Sequence, residues 1–145
     1  MSRLLDTCRA YDKLAQLLDQ EIRNRSGSIK ELERFRETLD VAFYLLGWSQ
    51  FEYLVRQAAK DFVEAKARAQ TVERHAWQYL KDNLRDVTVR RRLDLIFHEN
   101  PVARGELDKD YTFRNEVAHN YNMLPKEAKT ISPWLQSLEE LVEKF

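Results

Sequence analysis

Glycine and proline are scarce in this 145-residue chain, three of each, so most of its length holds nothing that breaks a helix. Cysteine is scarcer still. The single Cys8 excludes an internal disulfide framework and fits a reducing compartment. Neither sign of charge is in excess, with 24 Lys plus Arg against 24 Asp plus Glu. A nucleic-acid partner would therefore have to be held by a local basic surface rather than by the field of the whole chain. No run of about 18 apolar residues occurs, so no membrane-spanning helix is expected. The opening stretch from Met1 to Asp6 lacks the apolar core of a secretory signal. The cytoplasm is the expected location. Strand-type alternation, internal repeats and low-complexity tracts are absent too. No phosphate-cradling glycine loop and no Gly-x-Ser-x-Gly is found, which leaves nucleotide and serine hydrolases without support. His75 and His98 stand alone without ligand spacing, so neither a metal nor a cofactor is expected.

What is present is helical periodicity, on a chain whose 43% hydrophobic and 33% charged residues suit one globular domain over residues 1–145. Leu4, Cys8, Tyr11, Ala15, Leu18 and Ile22 fall at steps of three and four and mark one face of a first helix. Cys8 on that face reads as inert packing. The run Asn24-Arg25-Ser26-Gly27-Ser28 interrupts the pattern, and Ser28 can cap the next helix. A second pattern begins with Ile29, Leu32, Phe35, Leu39, Ala42 and Leu46 and continues through Phe51, Leu54, Ala58, Phe62 and Ala65 toward residue 69. Val41 to Trp48 carries no charge and is expected to be buried all round. A helix of about 40 residues would span roughly 60 Å, so a bend near Gly47 or protruding ends that meet a partner are expected.

Thr71 can cap a third helix with Val72, Ala76, Tyr79 and Leu80. A fourth is expected from about Thr88, with Val89, Leu93 and Ile96 inward, stopped by Asn100-Pro101. The fifth is expected over roughly 103–123, ahead of Pro125. Ser132-Pro133 announces the last, with a stripe of Trp134, Leu138, Leu141 and Phe145. The fold class expected is all-α, a single helical bundle of five to six helices with short loops.

The chemistry concentrates in Phe113-Arg114-Asn115-Glu116-Val117-Ala118-His119-Asn120-Tyr121. At about 100° per residue, Asn115 and His119 lie one turn apart, and Arg114 and Tyr121 nearly superimpose on a neighbouring line. Small Ala118 between them leaves space. Phe113, Val117 and Leu124 form the opposite, apolar arc and are expected to hold the helix against the bundle. Arginine can grip phosphate oxygens through two parallel hydrogen bonds. Neutral histidine can take the proton of a ribose 2′-hydroxyl, and protonated histidine can give one to the leaving 5′-oxygen. Attack by the 2′-hydroxyl on the adjacent phosphorus needs no metal, because the nucleophile is already in the substrate. The guanidinium offsets charge that builds on the phosphorane. DNA lacks the hydroxyl and should resist.

The same residues resemble the Arg-x4-to-6-His motif of HEPN domains, which commonly starts Arg-Asn and places its histidine near a helix end. Arg114, Asn115 and His119 match it with four intervening residues. The resemblance implies a HEPN-like bundle of about four or five helices. It also implies a homodimer whose two motifs face each other across a cleft, with Arg114 and His119 of both chains acting on one RNA. Tyr121 extends the pattern to Arg-x4-His-x-Tyr, which looks like the toxins of HEPN–MNT toxin–antitoxin pairs. There the tyrosine is the target of nucleotide addition by the antitoxin partner. The long second helix with Trp48-Ser49-Gln50-Phe51-Glu52 looks closer to stand-alone HEPN proteins of prokaryotic defence and stress loci. The function implied is a metal-independent endoribonuclease that cuts single-stranded RNA as a toxin or defence effector. Its catalytic residues would be Arg114 and His119, supported by Asn115 and Tyr121. The alternative is a catalytically silent HEPN module that binds RNA, nucleotide or a protein.

Other signals have a structural reading beside the functional one. Arg90-Arg91-Arg92 with Arg85 either tracks an RNA backbone or is a solvated face paired with Asp86, Asp94 and Glu99. Glu52 either orients Arg114 or lies on the surface. Trp48, Trp77 and Trp134 at helical spacing read as core and interface rather than base-stacking platforms.

Overall fold

Where nothing breaks a helix, helices run long. The computed structural model describes residues 3–120, 124 and 130–145. It contains α1 (Arg3–Arg23), α2 (Ile29–Arg68), α3 (Arg74–Asp82), a short 3-10 turn at Leu84–Asp86, α4 (Val89–Ile96), α5 (Pro101–Asn120) and α6 (Ile131–Val142). No strand occurs among the described residues. The class is all-α, with six α-helices among the described residues.

The breaks between helices are local chemistry. Between α1 and α2, Gly27 takes φ 105°, a left-handed conformation that glycine adopts at little cost. The Ser28 carbonyl then accepts the first hydrogen bond of α2, from Leu32 N at 3.0 Å. Thr88 caps α4 by accepting from Arg91 N at 3.4 Å. Asn100-Pro101 does more than end α4. The Asn100 side-chain oxygen accepts from Ala103 N at 3.1 Å and Pro101 is the first residue of α5, so the pair that stops one helix starts the next. Hence α5 begins at residue 101 rather than 103. Likewise α6 begins at Ile131, ahead of the expected Ser132-Pro133 start.

Contacts divide the chain into two units. The first holds residues up to Phe51 together with Tyr111 to Lys144, and the second holds Glu52 to Asp110 with Phe145. In the first unit, Leu4, Cys8, Tyr11 and Ala15 of α1 are buried, as their spacing predicts. They join Trp48 and Phe51 of α2, Val117 of α5, and Ile131, Trp134, Leu135 and Leu138 of α6. Trp48 lies at the centre of an aromatic group. Its ring is 5.7 Å from Phe51, 5.7 Å from Tyr111 and 5.9 Å from Trp134, between centroids. In the second unit Val55, Ala59, Val63 and Ala67 of α2 are buried with Leu93, Phe97 and Leu107, and Phe62 meets Trp77 edge-on at 5.7 Å.

Helix α2 corrects the expected inward face. It is helical without interruption through Gly47. A Cβ at Gly47 would stand 2.5 Å from Leu135 Cδ2 and 2.8 Å from the Trp134 ring. Glycine at this position lets α6 approach. The buried line also runs through Tyr44, Trp48, Phe51, Val55, Ala59, Val63 and Ala67. Phe35 is 50% and Leu46 43% exposed, and Ala42 is exposed as well. From Val41 to Trp48 every residue is uncharged, so periodicity carried no phase there. The large aromatics and the notch at Gly47 set it instead.

In α3, Val72 precedes the helix and is fully exposed, and Tyr79 is exposed too; Trp77 and Leu80 are half-buried. No side-chain cap forms at the α3 start. In α6 the expected stripe ends early, since Leu141 is half-buried and Phe145 exposed.

Candidate functional site

The motif occupies the last two turns of α5, in the first unit. Val117 turns inward and is 3% exposed. Its expected partner Phe113 does not, being 42% exposed. The other inward anchor is Tyr111, whose half-buried ring meets Trp48 edge-on. Tyr111 and Val117, six positions apart, stand about 120° from each other around the helix. Spacing from Val117 predicts Phe113, whereas the edge-on contact with the Trp48 ring, distant in sequence, selects Tyr111.

That anchoring decides where Arg114 goes. Its guanidinium carbon sits 5.6 Å from the centroid of the Tyr111 ring, a cation–π distance. Its Nη1 donates to Asn115 Oδ1 at 3.0 Å. Arg114 and Asn115 are both half-buried, and His119 is exposed in the last turn. The aromatic group centred on Trp48 thus ends in a cation held in place by its neighbour's carboxamide, with an imidazole presented to solvent five residues further on. Ala118, between them in the chain, is half-buried. Tyr121 lies outside the described residues. Among the described residues no cluster of histidine, cysteine and carboxylate side chains is placed to hold a metal ion, and no helix is long and apolar enough to cross a membrane.

The first unit also holds a polar network that sequence reasoning missed. Tyr11 Oη donates to Asp40 Oδ1 at 2.7 Å, and Arg36 donates to the same oxygen and to Asp19 Oδ1, the latter at 3.1 Å. The Arg36 guanidinium also stands 5.4 Å from the Tyr11 ring centroid. Burial, followed by the Asp40 hydrogen bond, pushes the Tyr11 phenol up to about 12. Burial works against the Arg36 cation, but hydrogen bonds with Tyr11 and Asp40 more than offset it and raise its pKa. Tyr11, Asp19 and Arg36 border an open groove of about 550 Å³ that also includes Asp12, Arg23 and the start of α6 at Thr130–Pro133. Arg36 and Asp40, four apart, were the available signal. The spacing of Tyr11 predicts only a place on the apolar face of α1.

In the second unit the arginine run is sorted residue by residue. Arg85 pairs with Asp86 at 3.9 Å, Arg90 with Asp108 at 3.6 Å and Arg91 with Asp94 at 3.5 Å. The first and last are the acids expected. Arg90 takes Asp108 of α5, and Glu99 meets His98 at 3.6 Å instead.

Comparison with known proteins adds little. No protein-family model matches the chain, and no solved structure matches it. It is similar to the Holliday junction branch migration complex subunit RuvB of Neorickettsia sennetsu, 32% identical over 134 aligned residues. The match covers 78% of this chain and 40% of that protein. The chain therefore corresponds to about two fifths of the relative's length.

Proposed function

We propose that this chain is a metal-independent endoribonuclease of HEPN type that cuts single-stranded RNA as a homodimer. A toxin or defence role follows from the same family resemblance. The observation that carries it is the end of α5: Arg114 held half-buried between Tyr111 and Asn115, with His119 exposed in the final turn. A guanidinium can grip phosphate oxygens through paired N–H donors, and an exposed imidazole can exchange protons with substrate. Phe113, exposed beside Arg114, offers a second copy an apolar contact next to the motif. In that dimer one His119 serves as base and the other as acid, and Arg114 offsets phosphorane charge.

RNA incubated with the chain in excess chelator tests the assignment. Wild type is expected to cleave, and His119→Ala and Arg114→Ala each to lose about 10²-fold or more in rate. Cleavage that survives both substitutions, or that needs Mg²⁺, rules the mechanism out.

A second reading has its own support. The charge balance of 24 against 24 and the engagement of Arg114 Nη1 by Asn115 suit a silent module that binds RNA, nucleotide or protein. The likeness to RuvB, by its name a subunit of a Holliday junction branch migration complex, is compatible with such a binding role. Binding retained in His119→Ala, with no RNA product at any protein concentration, favours this reading.

A further inference from the structure

Helix α1 and the first half of α2, both in the first unit, run antiparallel and side by side. Thr7 meets Gln50 at 2.8 Å, the Tyr11 and Phe43 rings stand 5.5 Å apart, and Asp19 accepts from Arg36 at 3.1 Å. That register sets Ala10 level with Leu46 and Leu14 level with Ala42. Helix α6 covers one side of the pair. Ser132 Oγ lies 3.5 Å from Cys8 Sγ, and the Trp134 and Tyr44 rings are 4.7 Å apart. The other side carries an apolar surface that α6 does not cover. At about 100° per residue, Leu14 and Leu17 lie across the Thr7–Tyr11 line from Cys8. Phe35, Leu39, Ala42 and Leu46 lie across the Arg36–Phe43 line from Tyr44, at steps of four, three and four. Leu14, Leu17, Phe35 and Leu46 are all 43–50% exposed.

Three features fit this face to a second copy of itself. The 4-3-4 spacing on α2 is that of a seam that packs against another helix. The centre is apolar and the ends are polar, with exposed Arg3 and Asp6 at one and Glu21 and Asn24 at the other, as in an interface core and its rim. Large and small residues alternate across it. A two-fold axis parallel to the helices lays α1 of each copy on α2 of the other at the same height, so Leu14 meets Ala42 of the second copy and Leu46 meets its Ala10. Over the 21 residues of α1 the face is about 30 Å long and two helices, about 20 Å, wide. Its corrugated area is then comparable to the roughly 800 Å² that each partner buries in a stable dimer. We infer that this face of α1 and α2 is the contact surface for a second copy of the chain. The contact uses neither Arg114, His119 nor Phe113, and stands whether or not the chain cuts RNA.

Sedimentation equilibrium over a concentration series tests it. Wild type should self-associate, and Leu14→Glu and Phe35→Glu should each raise the dimer Kd about tenfold or more, by placing an unpaired charge in the apolar centre. Phe113→Glu should leave this contact intact. The substituted residues are exposed, so the fold is retained. Cross-linking tests the axis. Leu14→Cys chains mixed with Ala42→Cys chains and oxidised should give a covalent dimer, and either variant alone should give far less. Association lost in Phe113→Glu but unaltered in Leu14→Glu and Phe35→Glu overturns this face and leaves the contact beside the α5 motif standing. Equal cross-linking in either variant alone overturns the two-fold. A wild-type chain that stays monomeric overturns both contacts, while cleavage of RNA is read separately.

Discussion

The Tyr11 hydroxyl sits on the apolar face of α1, where a buried polar group needs a partner. Asp40 supplies it at 2.7 Å, from a position 29 residues away. Burial and that bond favour the neutral phenol, so its pKa in the folded chain is raised from 10.0 to about 12. The resulting stabilisation is complete below 10.0 and is lost as pH rises from there through about 12. Urea unfolding at a series of alkaline pH values should therefore show stability falling across that window, and Tyr11→Phe should fall less steeply. Equal slopes for the two proteins would mean that the phenol does not titrate against folding. At this scale the sequence is half readable. Spacing among charged neighbours is enough to bury Leu4, Cys8 and Ala15, but the Asp40 partner depends on how α1 meets α2, which spacing does not encode. Arg92 makes the same point, since nothing in Arg90-Arg91-Arg92 distinguishes the one whose guanidinium donates to the Leu84 carbonyl rather than meeting a carboxylate among the described residues.

Elements were legible where charge gives a helix its phase and illegible where it does not. The face of α1 emerges because Asp, Lys, Gln and Arg fill its other side. Between Val41 and Trp48 no such contrast exists, so the inward line through Tyr44 and Trp48 follows from ring size and from Gly47. That glycine yields a test. Alanine is the better helix former by about 1 kcal/mol, so a purely local account makes Gly47→Ala stabilising. The Trp134 ring and the buried end of Leu135 occupy the space its methyl would need, and overpacking of this kind costs about 1–3 kcal/mol. The expected outcome is a lower thermal midpoint for Gly47→Ala. A raised midpoint would show that α6 yields easily. In α5 the motif was readable because its residues are polar on one side. Its anchoring through Tyr111 was not, because the Trp48 ring that receives Tyr111 lies more than sixty positions earlier in the chain.

For the molecule as a whole, an all-helical chain with balanced charge is consistent with several roles. The proposed ribonuclease role rests on the end of α5. There an arginine set against an aromatic ring and an exposed histidine would supply the two groups that 2′-hydroxyl attack needs, charge stabilisation and proton transfer. Neither group requires a metal. The most direct measurement is the end-group chemistry of an RNA oligonucleotide treated with the wild-type chain in EDTA, beside the same strand fully 2′-O-methylated. Fragments ending in 2′,3′-cyclic phosphate and 5′-hydroxyl, with the methylated strand left intact, are the result expected. Cutting of the methylated strand, or fragments ending in 3′-hydroxyl, would contradict attack by the neighbouring hydroxyl and with it the role given to Arg114 and His119.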